Sequence, residues 1–267
     1  MNDSISLARD IRSLGLQLVH KAKASHIGSA LSIADLLAVL ISDDQLCNLP
    51  YPGHPFRDRL ILSKGHACVS FYGALHLKGF FSKDDLFTYG DDFSRFMNHV
   101  SHHVPGVEFS TGALGHGLPI ACGKALAAKL KGEAWHTFVV MSDGELQEGS
   151  NWEAFMLASH FNLYNLTVCI DYNNLQSLTS VDNTISLQPL TNKLQAFGWH
   201  VSTIDGHSHP DIKNALSQAK LVKQPSAIIL ETIKGKGVSF MENQVAWHYR
   251  SPNDIELAQA LDEVSKS

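Results

Sequence analysis

Two polar sites follow two short apolar runs in the middle of the chain. Asp143 and Gly144 come directly after the apolar run 137–141, and Asn173 comes thirty residues after Asp143, behind the apolar run 166–170. The residues between the runs are typical of a helix, so the segment predicts a strand–helix–strand unit. In open parallel sheets, ligands bind at the carboxyl ends of such strands. A carboxylate and an amide there suit a magnesium ion that holds a diphosphate, because magnesium prefers hard oxygen donors and keeps phosphate oxygens in its shell.

Several short motifs, in the same order along nearly the whole chain, resemble the transketolase family. The segment 142–175 resembles the family's thiamine diphosphate fingerprint, which is Gly-Asp-Gly followed by Asn-Asn, although Ser142 stands in place of the first Gly. Alone, that fingerprint would not separate transketolases from thiamine-dependent dehydrogenases or decarboxylases. Five further motifs agree with transketolase: Ala24–Ser29, Leu62–Ala67, Pro105–Glu108, Ser110–Gly117 and Lys234–Val238.

The resemblance implies which residues hold the cofactor, thiamine diphosphate with Mg²⁺. Asp143 and Asn173 are the expected side-chain ligands of the metal ion, and the backbone carbonyl of Leu175 is the expected third ligand. Gly144 allows the backbone to approach the diphosphate closely, because glycine has no Cβ. Family members bind the aminopyrimidine ring through backbone atoms at two positions, here Gly112 and Leu114.

Four histidines fall within motifs of the family and are expected in the active site: His26, His66, His99 and His248. An imidazole with a pKa near neutrality can donate, accept or transfer a proton. By resemblance, His26 and His99 contact the hydroxyl groups of the donor sugar. His66 is expected to touch the diphosphate, and His248 to lie between the diphosphate and the sugar. His102 and His103 are alternatives for the role of His99.

The sequence predicts different positions for three acidic residues and for one loop that contains lysines. Glu148 follows Asp143 by five residues, and the resemblance implies that it joins a catalytic carboxylate network with the activating glutamate of a partner. Glu145 and Glu153 are predicted to lie on the surface. The segment 234–237 lacks the pattern of a P-loop and is predicted to form a loop over the cofactor.

Apolar runs that alternate with helical patterns predict an α/β fold with a doubly wound, mostly parallel sheet and helices on both faces. The resemblance implies the same thiamine-diphosphate-binding fold. We expect residues 1–267 to form a single diphosphate-binding domain that ends in a helical tail at 253–264. The predicted strands are 59–62, 137–141, 166–170, 199–204 and 227–231.

Composition and charge exclude several classes of function. The net charge of −5 gives no reason to expect a nucleic-acid partner. No run approaches the ~20 apolar residues of a membrane span, and residues 1–4 lack the basic start of a signal peptide. The four cysteines lack CxxC spacing and fit reduced thiols. We therefore expect a cytoplasmic protein that binds neither nucleic acid nor membranes.

The activity that the resemblance implies is the transfer of a two-carbon ketol unit from a ketose to an aldose, with sugar phosphates as substrates. Intact transketolases carry a pyrimidine-binding domain and a C-terminal domain after the diphosphate-binding domain, and this sequence has no residues for either. The activating glutamate belongs to those parts. We therefore expect the N-terminal subunit of a split transketolase, active only with a C-terminal subunit in an α2β2 heterotetramer.

Two other functions remain as alternatives. A subunit of a thiamine-dependent 2-oxoacid dehydrogenase or decarboxylase would share the fingerprint, but the set of His26, His66 and His99 argues against it. A non-catalytic relative would bind only the cofactor or a partner, and the intact set of Asp143, Asn173 and Glu148 argues against that function.

Overall fold

Five parallel strands form one sheet in the computed structural model, which describes residues 3–266. The strands are β1 (Arg59–Leu62), β2 (Thr137–Ser142), β3 (Leu166–Tyr172), β4 (His200–Asp205) and β5 (Ser226–Glu231). Their order across the sheet is β1-β2-β3-β5-β4, and every neighbouring pair is parallel. The register pairs Ser142 with Asp171, so the carboxyl ends of β2 and β3 lie side by side.

Helices cover both faces of this sheet. They are α1 (Ser4–Ala22), α2 (Ile27–Ser32), α3 (Ala34–Ser42), α4 (Cys68–Leu77), α5 (Lys83–Leu86), α6 (Gly117–Lys131), α7 (Gly149–His160), α8 (Val181–Thr184), α9 (Leu190–Ala196), α10 (His209–Leu221) and α11 (Asp254–Lys266). Among the helices of residues 3–266, none combines the length and the hydrophobicity that a bilayer crossing requires.

The interior strands are buried on both sides, which explains their continuous apolar sequences. Alternate residues of β2 belong to two separate hydrophobic cores. Phe138 and Val140 belong to the core that contains residues of α1, α3 and α4, whereas Val139 and Met141 belong to the core that contains residues of α6 and α7. Each core therefore lies between the sheet and one layer of helices. The predicted doubly wound α/β fold is confirmed.

Serine is a residue type that often caps the start of a helix, but in the structure Ser32 ends α2, and α3 begins at Ala34. The Ser32 hydroxyl instead donates a hydrogen bond of 2.7 Å to the buried carboxylate of Asp171. A buried carboxylate needs donors, and that need takes precedence over helix capping here.

Candidate active site

One cavity of about 260 Å³ lies at the carboxyl ends of β1, β2, β3 and β5. It is lined by most of the residues that the sequence singled out, namely His26, His66, His99, Gly112, Leu114, Asp143, Gly144, Asn173, Leu175 and His248. Glu148 is not among the lining residues. The parallel sheet brings Asp143 and Asn173 together, because residues that follow neighbouring strands lie at the same edge.

Asp143 follows β2 and its carboxylate is buried at the base of this cavity. One carboxylate oxygen accepts a hydrogen bond of 2.7 Å from the N–H of Gly144, and the other accepts one of 2.5 Å from the N–H of Asn174. Burial, followed by the nearby carboxylate of Asp171, raises the pKa of Asp143 to about 7. A cation bound here would stabilise the ionised carboxylate, so the site suits a metal ion.

Asn173 and Leu175 present amide and carbonyl oxygens next to Asp143. The Asn173 side chain donates from Nδ2 to Asp171, at 3.1 Å, and accepts at Oδ1 from the N–H of Leu175, also at 3.1 Å. The Leu175 carbonyl accepts a hydrogen bond of 3.2 Å from Lys234. Each of these oxygens has a second lone pair, so both retain the capacity to bind a hard cation such as Mg²⁺.

A buried ion pair between Lys64 and Asp171 supports the base of the cavity. Lys64 follows β1, and its Nζ donates to the Asp171 carboxylate and, at 3.0 Å, to the carbonyl of Ser29. Although burial alone would raise the pKa of Asp171, the Lys64 charge and hydrogen bonds from Lys64, Thr232 and Ser32 hold this pKa below its usual value. Asp171 is therefore a fixed negative charge that orients the amide of Asn173.

The four predicted histidines come together around the cavity. The His26 ring centroid lies 5.3 Å from that of His66, 5.5 Å from that of His99 and 5.0 Å from that of His248. His26 has a left-handed backbone conformation, with φ of 75°, and its N–H donates to the carbonyl of His248 at 2.7 Å. A non-glycine residue in this region of φ/ψ is uncommon, and such residues cluster at functional sites.

The surroundings of these histidines favour neutral rings. Burial is the largest cause that lowers the pKa of His26 to about 4 and that of His248 to about 3, and the Lys234 charge adds to both shifts. Burial also lowers the pKa of His66 well below its usual value. Near neutral pH, each ring therefore offers one N–H donor and one acceptor nitrogen to a polar ligand.

The structure separates His99 from its two alternatives. His99 lines the cavity beside Gly112, and a Cβ at Gly112 would lie only 2.7 Å from Cδ2 of the His99 ring. His102 and His103 lie against each other, with ring centroids 4.1 Å apart, and do not line the cavity. His102 forms a hydrogen bond with Ser110. Of the three, His99 is the one whose position fits a contact with a ligand in this cavity.

Lys234 is a cavity residue whose individual contacts the sequence did not predict. It lies in the segment after β5, is almost fully buried, and its Nζ donates to the carbonyl of Gln176 at 2.9 Å as well as to that of Leu175. Nζ also lies 3.1 Å from Nδ1 of His248, so this nitrogen is the acceptor. Burial and the nearby Lys64 charge lower the pKa of Lys234 to about 8. Of the segment 234–237, Lys234 lines the cavity.

The glutamates near Asp143 differ from each other. Glu148 is exposed and lies beside the loop that contains Gly115. A Cβ added at Gly115 would come within 2.6 Å of the Glu148 Cβ. The prediction that Glu145 lies on the surface was wrong. Its side chain is fully buried because the 3-10 turn after β2 folds inward, and it accepts hydrogen bonds from Ser63 at 2.5 Å and from the N–H of Gly115 at 2.9 Å. Glu153 is exposed, as predicted.

Comparison with known proteins gives this site a context. Residues 4–263 match the family described as transketolase, thiamine diphosphate binding domain. The chain is 38% identical over 252 residues to an apulose-4-phosphate transketolase subunit from Phocaeicola vulgatus, a match that covers 94% of this chain and 90% of that protein. It is also 38% identical over 261 residues to 6-deoxy-6-sulfo-D-fructose transketolase subunit SqwG of a Clostridium species, covering 97% of this chain and 95% of that protein.

The fold is similar to solved transketolase structures. The crystal structure of transketolase from Campylobacter jejuni superposes with a TM-score of 0.93 at 32% identity, over 99% of this chain. This chain spans only 43% of the length of that protein. The resemblance predicted from the motifs, and the transketolase type of enzyme that it implied, are thereby confirmed. The chain belongs to the transketolase family, and its residues 4–263 match the thiamine diphosphate binding domain of that family.

Proposed function

We propose that this chain is the N-terminal subunit of a two-chain transketolase, which transfers a two-carbon ketol unit from a ketose to an aldose. The observation that carries this proposal is the convergence of Asp143, Asn173 and four histidines on one cavity in a chain of this family. The cavity combines hard oxygen donors with neutral imidazoles. It therefore suits a metal-bound diphosphate beside a polyhydroxylated substrate.

The residues at the base of the cavity would hold the cofactor. Asp143, Asn173 and the carbonyl of Leu175 would bind Mg²⁺, and Gly144 would allow the diphosphate to approach the backbone. Gly112 and Leu114 would contact the aminopyrimidine ring. When bound, thiamine diphosphate supplies the nucleophilic carbon for breaking and forming the carbon–carbon bond, while the protein orients the reactants and excludes water.

The histidines would bind and orient the sugar. His26 and His99, which have neutral rings on the wall of the cavity, would donate to and accept from hydroxyl groups of the donor ketose. His66 would contact the diphosphate, and His248 would lie between diphosphate and sugar. Both relatives above are named for anionic ketoses, one a phosphate and the other a sulfonate, which supports sugar phosphates as the substrates.

A second polypeptide would complete the active site. The two relatives are named as subunits and match this chain over 90% and 95% of their own lengths, which supports a C-terminal subunit with a pyrimidine-binding domain as the partner. The exposed carboxylate of Glu148, beside the Gly115 loop, is accessible to such a partner and would pair with its activating glutamate. We propose an α2β2 heterotetramer located in the cytoplasm.

Reconstitution tests this proposal. The chain and its candidate C-terminal partner are purified separately and assayed, alone and mixed, for ketol transfer with Mg²⁺, thiamine diphosphate and a panel of ketose and aldose phosphates. We expect turnover only in the mixture. His26→Ala should reduce this turnover by about 10²-fold, because a preorganised donor is lost, and His102→Ala should not. Full turnover by this chain alone would contradict the split-enzyme proposal.

A further inference from the structure

The segment 233–237 follows β5 and places Lys234 in the candidate active site. Other parts of the protein bind this segment at several points. On the cavity side, Lys234 Nζ donates to the carbonyls of Leu175 and Gln176, and the N–H of Gly235 donates to the carbonyl of Gly28 at 2.9 Å. On the opposite side, two further contacts lead to a cluster of charged side chains away from the cavity.

The first of these contacts is a hydrogen bond from the backbone N–H of Ile233 to Nε2 of His207, at 2.8 Å. A backbone N–H can only donate, so Nε2 of His207 is the unprotonated nitrogen. The proton of the neutral ring therefore lies on Nδ1, which is 2.7 Å from a carboxylate oxygen of Asp35. His207 thus connects the segment directly to Asp35 in a defined tautomer.

The second contact comes from Arg12. Its Nε donates to the carbonyl of Lys236 at 3.1 Å, while its two terminal nitrogens pair with both oxygens of Asp35, at 3.0 Å and 2.5 Å. Arg12 and Asp35 are both buried. One carboxylate therefore orients two side chains, and these bind the backbone of the segment at Ile233 and at Lys236.

Asp35 is suited to this position because it stays ionised. Burial would raise the pKa of Asp35, but hydrogen bonds from His207 and His209, together with Arg12, hold this pKa well below its usual value. His209 differs from His207 in one respect. Its Nε2 lies 3.2 Å from Asp35, but its Nδ1 bonds the hydroxyl of Ser4, at 2.7 Å, instead of the segment. His209 is therefore a natural control for His207.

We propose that the cluster of Arg12, Asp35 and His207 positions the segment 233–237 and thereby places Lys234 in the candidate active site. His207 is a positioning residue, because it acts on the cavity through the backbone of Ile233 rather than by contact with a ligand. The consequence for binding rests on the proposed function: a displaced Lys234 would leave the carbonyls of Leu175 and Gln176 and would weaken the binding of a magnesium-bound diphosphate.

Two substitutions of His207 separate its two hydrogen bonds. Asparagine places its amide near the position of Nδ1, so His207→Asn retains a donor to Asp35 but cannot reach Ile233. Glutamine extends to the position of Nε2, so His207→Gln presents its amide oxygen to the N–H of Ile233. A third variant, His209→Ala, removes a hydrogen bond to the same carboxylate without touching the segment.

The experiment measures amide hydrogen exchange over residues 232–238 and the affinity for inorganic pyrophosphate with Mg²⁺, in the full chain. We expect His207→Asn to increase exchange in this segment and to weaken pyrophosphate binding by about tenfold, the effect of one ordinary hydrogen bond. His207→Gln should restore both properties, and His209→Ala should leave both unchanged. Exchange over α6, remote from the cluster, reports whether each variant is folded.

Three results would overturn the inference: unchanged exchange of residues 232–238 in His207→Asn, equal effects of asparagine and glutamine, or an equal effect of His209→Ala. Increased exchange with unchanged pyrophosphate affinity would also contradict it, because Lys234 would then not depend on the segment. If wild-type chain binds no pyrophosphate, the proposed function fails, while the exchange measurements still decide whether His207 positions the segment.

Discussion

Lys64 Nζ donates a hydrogen bond to a carboxylate oxygen of Asp171 in the interior of the protein, where the two side chains are 1% and 0% exposed. The pair joins the end of β1 to β3 across the intervening strand β2. Asp171 in turn orients the Asn173 amide. The candidate active site is therefore built on a buried ion pair, and its geometry depends on both partners.

Removing the Lys64 charge should destabilise the protein strongly. Lys64→Met leaves the Asp171 carboxylate buried without its cation, and such a loss costs about 3–5 kcal/mol. Urea denaturation measures the free energy of unfolding. Lys266→Ala is the control, because it breaks an exposed ion pair with Asp262, for which a loss of about 0–1 kcal/mol is usual. Similar small losses in both variants would show that the buried pair does not hold the site together.

Glu145 should be required for stability although it is next to a predicted ligand. Glu145→Ala leaves the Ser63 hydroxyl and the Gly115 N–H without their acceptor, and each unsatisfied group costs about 1–3 kcal/mol. Glu145→Gln keeps one acceptor oxygen and should lose less. The exposed Glu153 provides the matched control, since Glu153→Ala should change the free energy of unfolding by about 0.5 kcal/mol or less. The prediction is wrong if alanine at 145 and alanine at 153 are equally mild.

Stability should depend on pH through His26. Below its usual pKa of 6.5 the unfolded chain binds a proton at His26, whereas the folded chain does not bind it until pH about 4. The unfolded state is therefore favoured as the pH falls through this window, and the free energy of unfolding decreases. In His26→Gln this contribution is absent. The unfolding free energy of wild type minus that of the variant should therefore decrease from pH 7 to pH 4. A difference that stays constant over this range would contradict the assignment.

The four histidines were identified by resemblance to motifs of the transketolase family, and the α/β fold followed from apolar runs that alternate with helical patterns. Asp143 and Asn173 were identified because each follows an apolar run that is predicted to be a strand. Parallel strands bring such residues to one edge of a sheet whatever the exact packing of the helices. For that reason these predictions needed no knowledge of side-chain contacts.

Side-chain partners could not be predicted in the same way. Lys64 and Asp171 are 107 positions apart, and neither their pairing nor their burial has a local signal. Glu145 looked like an ordinary surface residue because charged residues are rarely buried without a partner, and its partners Ser63 and Gly115 come from other elements. The link from Asp35 through His207 to the segment 233–237 is likewise visible only once the chain has folded.

Magnesium-dependent binding of thiamine diphosphate is the most direct test of the central claim. Calorimetric titration would compare wild type with Asp143→Ala and with Glu153→Ala as a surface control, each with the C-terminal subunit present. We expect wild type and Glu153→Ala to bind thiamine diphosphate only when Mg²⁺ is added. Asp143→Ala should show no magnesium-dependent binding, because the ion that neutralises the diphosphate has lost its carboxylate ligand. Equal affinity in wild type and Asp143→Ala would contradict the proposed site.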